Sequence, residues 1–399
     1  MTRSARMCEE TRRPYNARSS CKRAGRVRAI LPLSVKALAT VRAACWALVA
    51  IATTASCTRT VPTIVEPSPP LRSEPIRIEK EPSSREFSRL FCGVLAHAPG
   101  KWGDCARYLW PAGTPGPVNE SFESPYRILV VPGVFGQCID AIVRPFEDAR
   151  RHLATAHGID IEYVSIPALG SSTYNAQRLA EYLDQRFSGG EMRRYIAFGY
   201  SKGASDILEA VGRYEIAQRA IAAVVTVAGS VMGSRLAEGV PRGLLRTLER
   251  WKRGVCEAGD GRGIESLRRS VRIRAVAEMK VPEHLRTYSI AAISDASNTS
   301  AVLMDGWNQL HAYSLEEDGQ VIHEDAIVPD ATYLGFARAD HWAVALPFED
   351  AAELDPTLGA TLRRLVDRNH YPRVALFEAV LRFVIADLAA KREPRSHEE

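Results

Sequence analysis

Between residues 126 and 230 the chain alternates short, continuously apolar runs with longer segments of helical spacing. "YRILVVPGV" (126–134), "IDIEYVSIP" (159–167), "RRYIAFGY" (193–200) and "IAAVVTVAGS" (221–230) are the apolar runs; "IDAIVRPFEDARRHLATAHG" (139–158), "TYNAQRLAEYLDQRF" (173–187) and "ASDILEAVGRY" (204–214) are the helical ones. A strand that is apolar at every position is buried on both faces, and a helix between successive strands makes them parallel. The pattern therefore predicts an α/β fold built on a doubly wound, mostly parallel sheet. It pauses from Val231 to Arg286, where a charged, Arg-rich stretch with Gly259, Gly261 and Gly263 reads as a helical cap inserted over the strand ends. "TYSIAAIS" (287–294) and "ATYLGFARADHW" (331–342) resume the sheet, and "RVALFEAVLRFVIADLAAK" (373–391) closes it with a helix. One domain over 126–391 follows, with a short tail at 392–399; 46% hydrophobic residues in a chain of 399 supply a core of that size.

The N-terminal part differs in kind. Arg3, Arg6, Arg12, Arg13, Arg18, Lys22, Arg23, Arg26, Arg28, Lys36 and Arg42 hold much of the formal charge excess of +5, leaving the remainder nearly balanced. Without a basic stripe or interleaved aromatic platforms, nucleic acid is not an expected partner. The basic arm leads into "AACWALVAIATTASC" (43–57), too short to span a bilayer, which needs about 20 apolar residues. It reads as an export signal. Thr54-Ala55-Ser56-Cys57 resembles a bacterial lipoprotein box, with Thr54 where leucine is usual, so lipidation at Cys57, ordinary cleavage and an uncleaved anchor are all open. The expectation is a protein of the cell envelope or secreted beyond it, with a possible contact to a membrane surface through residues 1–57. Residues 58–85, rich in proline, serine and charge, read as a disordered tether; 86–125 reads as an irregular lead-in.

Four of the eight cysteines lie beyond Cys57: Cys92, Cys105, Cys138 and Cys256. An even number in an exported chain suggests up to two disulfides. Cys92 with Cys105 is the local candidate, and Cys138 with Cys256 is the remainder. There is no CxxC, and the nine histidines form no HxxxH pair; no structural zinc is expected.

The chemistry concentrates at Gly199-Tyr200-Ser201-Lys202-Gly203, a G-x-S-x-G pattern that follows an apolar run and opens a helical one. That context is what gives the pattern meaning, because glycines two places either side make room for a sharp strand-to-helix turn that lifts the serine oxygen into solvent. A serine hydroxyl needs a base, and the base needs an orienting acid; on this architecture both follow the serine in the chain. His341 lies just beyond the last strand. Asp325, in "HEDAIVPD", is the favoured acid, with Asp295 and Asp340 as alternatives. Two backbone donors are needed for an oxyanion. The amide of Lys202 is one, and the glycine-rich loop "VVPGVFGQ" offers that of Val134 as the other.

These motifs resemble those of the α/β-hydrolase superfamily, and of bacterial lipases and esterases in particular. The loop motif His-Gly-x-x-Gly corresponds to Pro132-Gly133-Val134-Phe135-Gly136, with Pro132 in place of the histidine. The elbow is Gly199 to Gly203, and Lys202 stands where lipases commonly have histidine or glutamine. The Asp-Gly-Leu-Val acid motif corresponds to Asp325-Ala326-Ile327-Val328, and His341 to the late histidine. The resemblance implies a serine hydrolase cleaving carboxylic esters of small molecules or lipids through an acyl-enzyme, without metal or cofactor. It would place the 231–286 cap beside the acyl site, with Arg246, Arg250, Lys252 and Arg253 available to anionic groups. A peptidase or thioesterase using the same triad, and a non-catalytic envelope lipoprotein keeping the fold as a binding module, are the alternatives.

Overall fold

The computed structural model describes residues 82–119, 122–240, 257, 259–354 and 356–390. The export segment, Cys57, Cys256 and the four cap basic residues Arg246 to Arg253 lie outside them, as does most of the tether. Seven strands form one sheet in the order β1-β7-β6-β5-β4-β2-β3. They are β1 (Leu109–Trp110), β2 (Arg127–Val131), β3 (Ile161–Tyr163), β4 (Tyr195–Tyr200), β5 (Ile221–Val227), β6 (Arg286–Ile293) and β7 (Thr332–Arg338). All neighbours are parallel except β1, which runs antiparallel to β7 through Leu109 opposite Ala337 and Trp110 opposite Phe336.

The alternation of side chains along each strand divides the core in two. Ile128 and Val130 of β2, with Ile196, Phe198 and Tyr200 of β4, join one apolar cluster; Leu129 and Val131, with Tyr195 and Ala197, join the other. The first face is covered by helices α1 (Pro82–His97), α2 (Glu147–His157) and α7 (Arg373–Ala390), the second by α3 (Ser172–Ser188) and α4 (Lys202–Arg213). Phe198 stacks on Phe377 of α7 at 4.2 Å between ring centroids. Two further helices, α5 (Arg269–Glu278) and α6 (Met304–His311), lie between β5 and β7 in the chain. Gly158 ends α2 in the left-handed conformation that favours glycine, at φ 64°.

Two expectations change. Residues 82–97 are helical rather than the end of a tether and the start of an irregular stretch. Phe87, Phe91, Val94 and Leu95 recur at helical spacing and are buried against the sheet and α7. The helix expected over 139–158 is broken: a turn at Gly136–Ile139 and α2 from Glu147 flank Pro145, whose ring bars a continuous helix. The cap region, as far as it is described, contributes short helices at Arg235–Glu238 and Gly263–Ser266 together with α5.

The Cys92–Cys105 disulfide is present and closes the turn after α1. Cys138 is also disulfide-bonded. Among the described residues, no helix is long and apolar enough to cross a membrane.

Candidate active site

At the carboxyl end of β4 the backbone of Ser201 takes φ 54° and ψ −123°, a conformation that costs a residue with a Cβ on the order of 1–3 kcal/mol. Packing on every side holds it there. The Ser201 amide donates to the Val227 carbonyl at 3.2 Å, and its own carbonyl accepts from Ala204 and Ser230. The two glycines of the motif are required by space. A Cβ on Gly199 would lie 2.5 Å from the Ala204 Cα, and one on Gly203 would lie 2.1 Å from the Val131 carbonyl oxygen. Gly133, from the loop after β2, sits so close that a Cβ there would meet the Ser201 Cβ at 3.0 Å and its Oγ at 3.3 Å.

His341, on the turn after β7, brings Nε2 to 2.9 Å from Ser201 Oγ. Its Nδ1 lies 2.7 Å from Asp318 Oδ2. All three side chains are buried. The Asp318 carboxylate is fixed by its own turn: Oδ1 accepts the amides of Gln320 (2.9 Å) and Val321 (2.7 Å), while the His341 amide donates to the Asp318 carbonyl at 2.8 Å. Tyr200 completes the frame by donating its hydroxyl proton to the His341 carbonyl at 2.8 Å. This is the arrangement in which an imidazole takes a hydroxyl proton while a carboxylate holds its tautomer.

The acid expected from the sequence is thereby corrected. Asp325 is buried but accepts from Arg269 Nε at 2.9 Å through both oxygens, so its carboxylate is committed to a guanidinium. Burial pushes it up to about 6, against the pull of Arg269. Asp295 is exposed and caps its own loop, accepting from Ser297 and Asn298; the hydrogen bond from the Ser297 hydroxyl holds it below the usual carboxylate range. Asp340 adjoins the histidine but accepts the amides of Ser300, Trp342 and Ala343.

A readable signal for Asp318 was present. Asp318-Gly319-Gln320-Val321 matches the Asp-Gly-Leu-Val motif at three positions, whereas Asp325-Ala326-Ile327-Val328 has neither the glycine nor the leucine. Glu317, immediately before it, is also buried, and its Oε2 accepts the Gly319 amide at 2.7 Å. Burial pushes Glu317 up to about 8, with the Asp318 charge adding to the shift. It is largely neutral at pH 7, so Asp318 does not face a second full negative charge in the same turn.

The two expected backbone donors, Lys202 and Val134, belong to the elbow helix and to the loop after β2. Lys202 is the first residue of α4, where amides have no partner within the helix. Val134 follows Gly133, and among the described residues its amide has no backbone acceptor, whereas the Phe135 amide is taken by the Ala168 carbonyl at 3.2 Å. The Lys202 side chain turns away from this edge into the protein. Its Nζ lies 2.6 and 2.8 Å from the two oxygens of Asp206, which also accepts from Asn175 at 2.8 Å. Burial pushes the Lys202 amine down, opposed by Asp206. Beside this pair, Arg272 reaches Glu209 at 2.5 Å, so the first two turns of α4 are tied by a hydrogen bond to α3 and by an ion pair to α5.

No protein-family model matches the chain, and no curated protein sequence does. Among solved structures, the metagenomic carboxyl esterase MGS0156 is 32% identical with a TM-score of 0.69, over 76% of this chain and 92% of that one. The mature Bacillus licheniformis lipase BlEst2 is 20% identical over 62% of this chain and 96% of its own, with a TM-score of 0.44. Lipase 1 from Pelosinus fermentans is 11% identical over 65% and 98%, with a TM-score of 0.43. The chain belongs to the α/β-hydrolase superfamily, among its esterase-like members.

Proposed function

We propose that the protein is a serine hydrolase that cleaves carboxylic esters through an acyl-enzyme. The observation that carries this reading is the continuous relay Ser201–His341–Asp318, at 2.9 and 2.7 Å, on a strained strand-to-helix turn. Ser201 Oγ attacks the ester carbonyl as His341 Nε2 takes its proton. Asp318 stabilises the imidazolium and does not itself accept the proton. The carbonyl oxygen, now anionic, would be stabilised by the amides of Val134 and Lys202. Collapse of the tetrahedral species expels the alcohol, which receives the proton from His341. Water activated by the same imidazole then releases the acid and restores Ser201.

The carboxyl esterase relative supports an ester over an amide as substrate. Export is part of the same proposal: disulfides at Cys92–Cys105 and at Cys138 fit an oxidising compartment, and the basic and apolar N-terminal segment supplies a signal. The test is hydrolysis of a p-nitrophenyl ester series by the wild type, Ser201→Ala and His341→Ala. Turnover that needs both residues is the expected result; equal turnover in the Ser201→Ala variant would exclude the mechanism.

A further inference from the structure

On the sheet face covered by α2 and α7, His152 and His157 of α2 converge on Glu378 of α7. His152 Nε2 lies 3.2 Å from Glu378 Oε2, and His157 Nε2 lies 3.5 Å from Glu378 Oε1. The three ligand atoms lie within 4.8 Å of one another; Glu378 is buried and the two histidines are half-buried. We propose that His152, His157 and Glu378 bind a divalent cation of the zinc class, clamping α2 to α7 away from the catalytic serine.

The spacing favours an ion over hydrogen bonds alone. A tetrahedral ion with bonds near 2.0–2.1 Å holds its ligand atoms roughly 3.3–3.4 Å apart. The three ligand atoms, within 4.8 Å of one another, converge on a space of that size, and 3.5 Å is long for a hydrogen bond to a carboxylate. The carboxylate is also held in place from behind. Arg382, one turn on in α7, places both Nε (2.8 Å) and Nη2 (2.7 Å) on Glu378 Oε1, leaving Oε2 toward His152. Partners of this kind orient ligating carboxylates in metal sites. Phe122 walls the site, edge-on to His157 and beneath the Arg382 guanidinium.

Three protein ligands leave a fourth position for water. Phe146, at the start of α2, contacts Tyr200 beside the elbow. At 1.5 Å per residue the cation site lies about 9–16 Å farther along that helix. Its role is therefore structural, and it is independent of the esterase reading. Histidine spacing alone misses it, because the third ligand comes from the last helix.

The test uses the full chain stripped with EDTA. Saturating zinc should raise its melting temperature by about 5 °C, and cobalt should give the intense visible absorption of a tetrahedral site. Both signals should vanish in His152→Ala and His157→Ala. The matching Asn variants keep a polar side chain and check that the loss is one of ligation rather than of folding. Ester turnover by the wild type should be the same with and without zinc. Absence of the cobalt band and of the melting shift would overturn the proposal, as would shifts that persist in all four variants.

Discussion

Asp318 and Asp325 sit on the same β6-to-β7 connection, both are buried, and only one of them faces the histidine. Asp318 occupies a tight turn whose amides at Gln320 and Val321 fix one oxygen, leaving the other for His341 Nδ1. Asp325 lies on a short helical turn, and both of its oxygens go to Arg269 from α5. One carboxylate is presented by its own backbone and the other is consumed by a distant element. The difference teaches that burial and chain order do not identify a triad acid. What identifies it is a turn that satisfies one oxygen and aims the second.

Substitution can separate the two acids. Asp318→Asn should lower kcat for a p-nitrophenyl ester roughly 10⁴-fold by stabilising the wrong tautomer of His341. Asp325→Asn should change it less than about 10-fold. If the two losses were exchanged, the geometric assignment would fail. Next in size is the elbow itself: Gly203→Ala drives a Cβ onto the Val131 carbonyl, a backbone atom that cannot yield cheaply. A loss of about 3 kcal/mol or more in denaturant unfolding is expected, with little soluble enzyme recovered.

The pH dependence of stability sharpens the contrast further. The Asp325 carboxyl is raised from about 3.8 to about 6, so the folded state binds the proton more tightly than the unfolded chain does. Its contribution is fully present below about pH 4 and is lost as pH rises through 6, by about 3 kcal/mol. Between pH 4 and 7 the wild type should lose about that much more stability than Asp325→Asn, as read by denaturant unfolding of the two. The smallest effect belongs to the third candidate acid, Asp295. Asp295→Ala should cost no more than about 1 kcal/mol, since it removes only an exposed loop cap, and should leave ester turnover unchanged.

Much of this arrangement was legible in the sequence because its requirements are local. The parallel sheet shows in apolar runs at every strand, and the elbow shows in Gly199 and Gly203, whose absent side chains make the turn possible. His341 was legible because few histidines follow a late strand. Asp318 was missed because the preference for Asp325 weighed an apolar run after the acid over the Asp-Gly turn. The rival pairing of Asp325 with Arg269 spans the cap region, beyond any local pattern. Helix α1 was missed for a different reason: the prolines and charges before it obscured a regular apolar stripe from Phe87 to Leu95.

The most direct test of the central claim is fluorophosphonate labelling of the wild type, Ser201→Ala and Asp318→Asn, with the modified peptide located by mass spectrometry. The account predicts a single adduct on Ser201, its loss in Ser201→Ala and a labelling rate strongly reduced in Asp318→Asn. A folded wild type that stays unlabelled, or an adduct on any other residue, would contradict it.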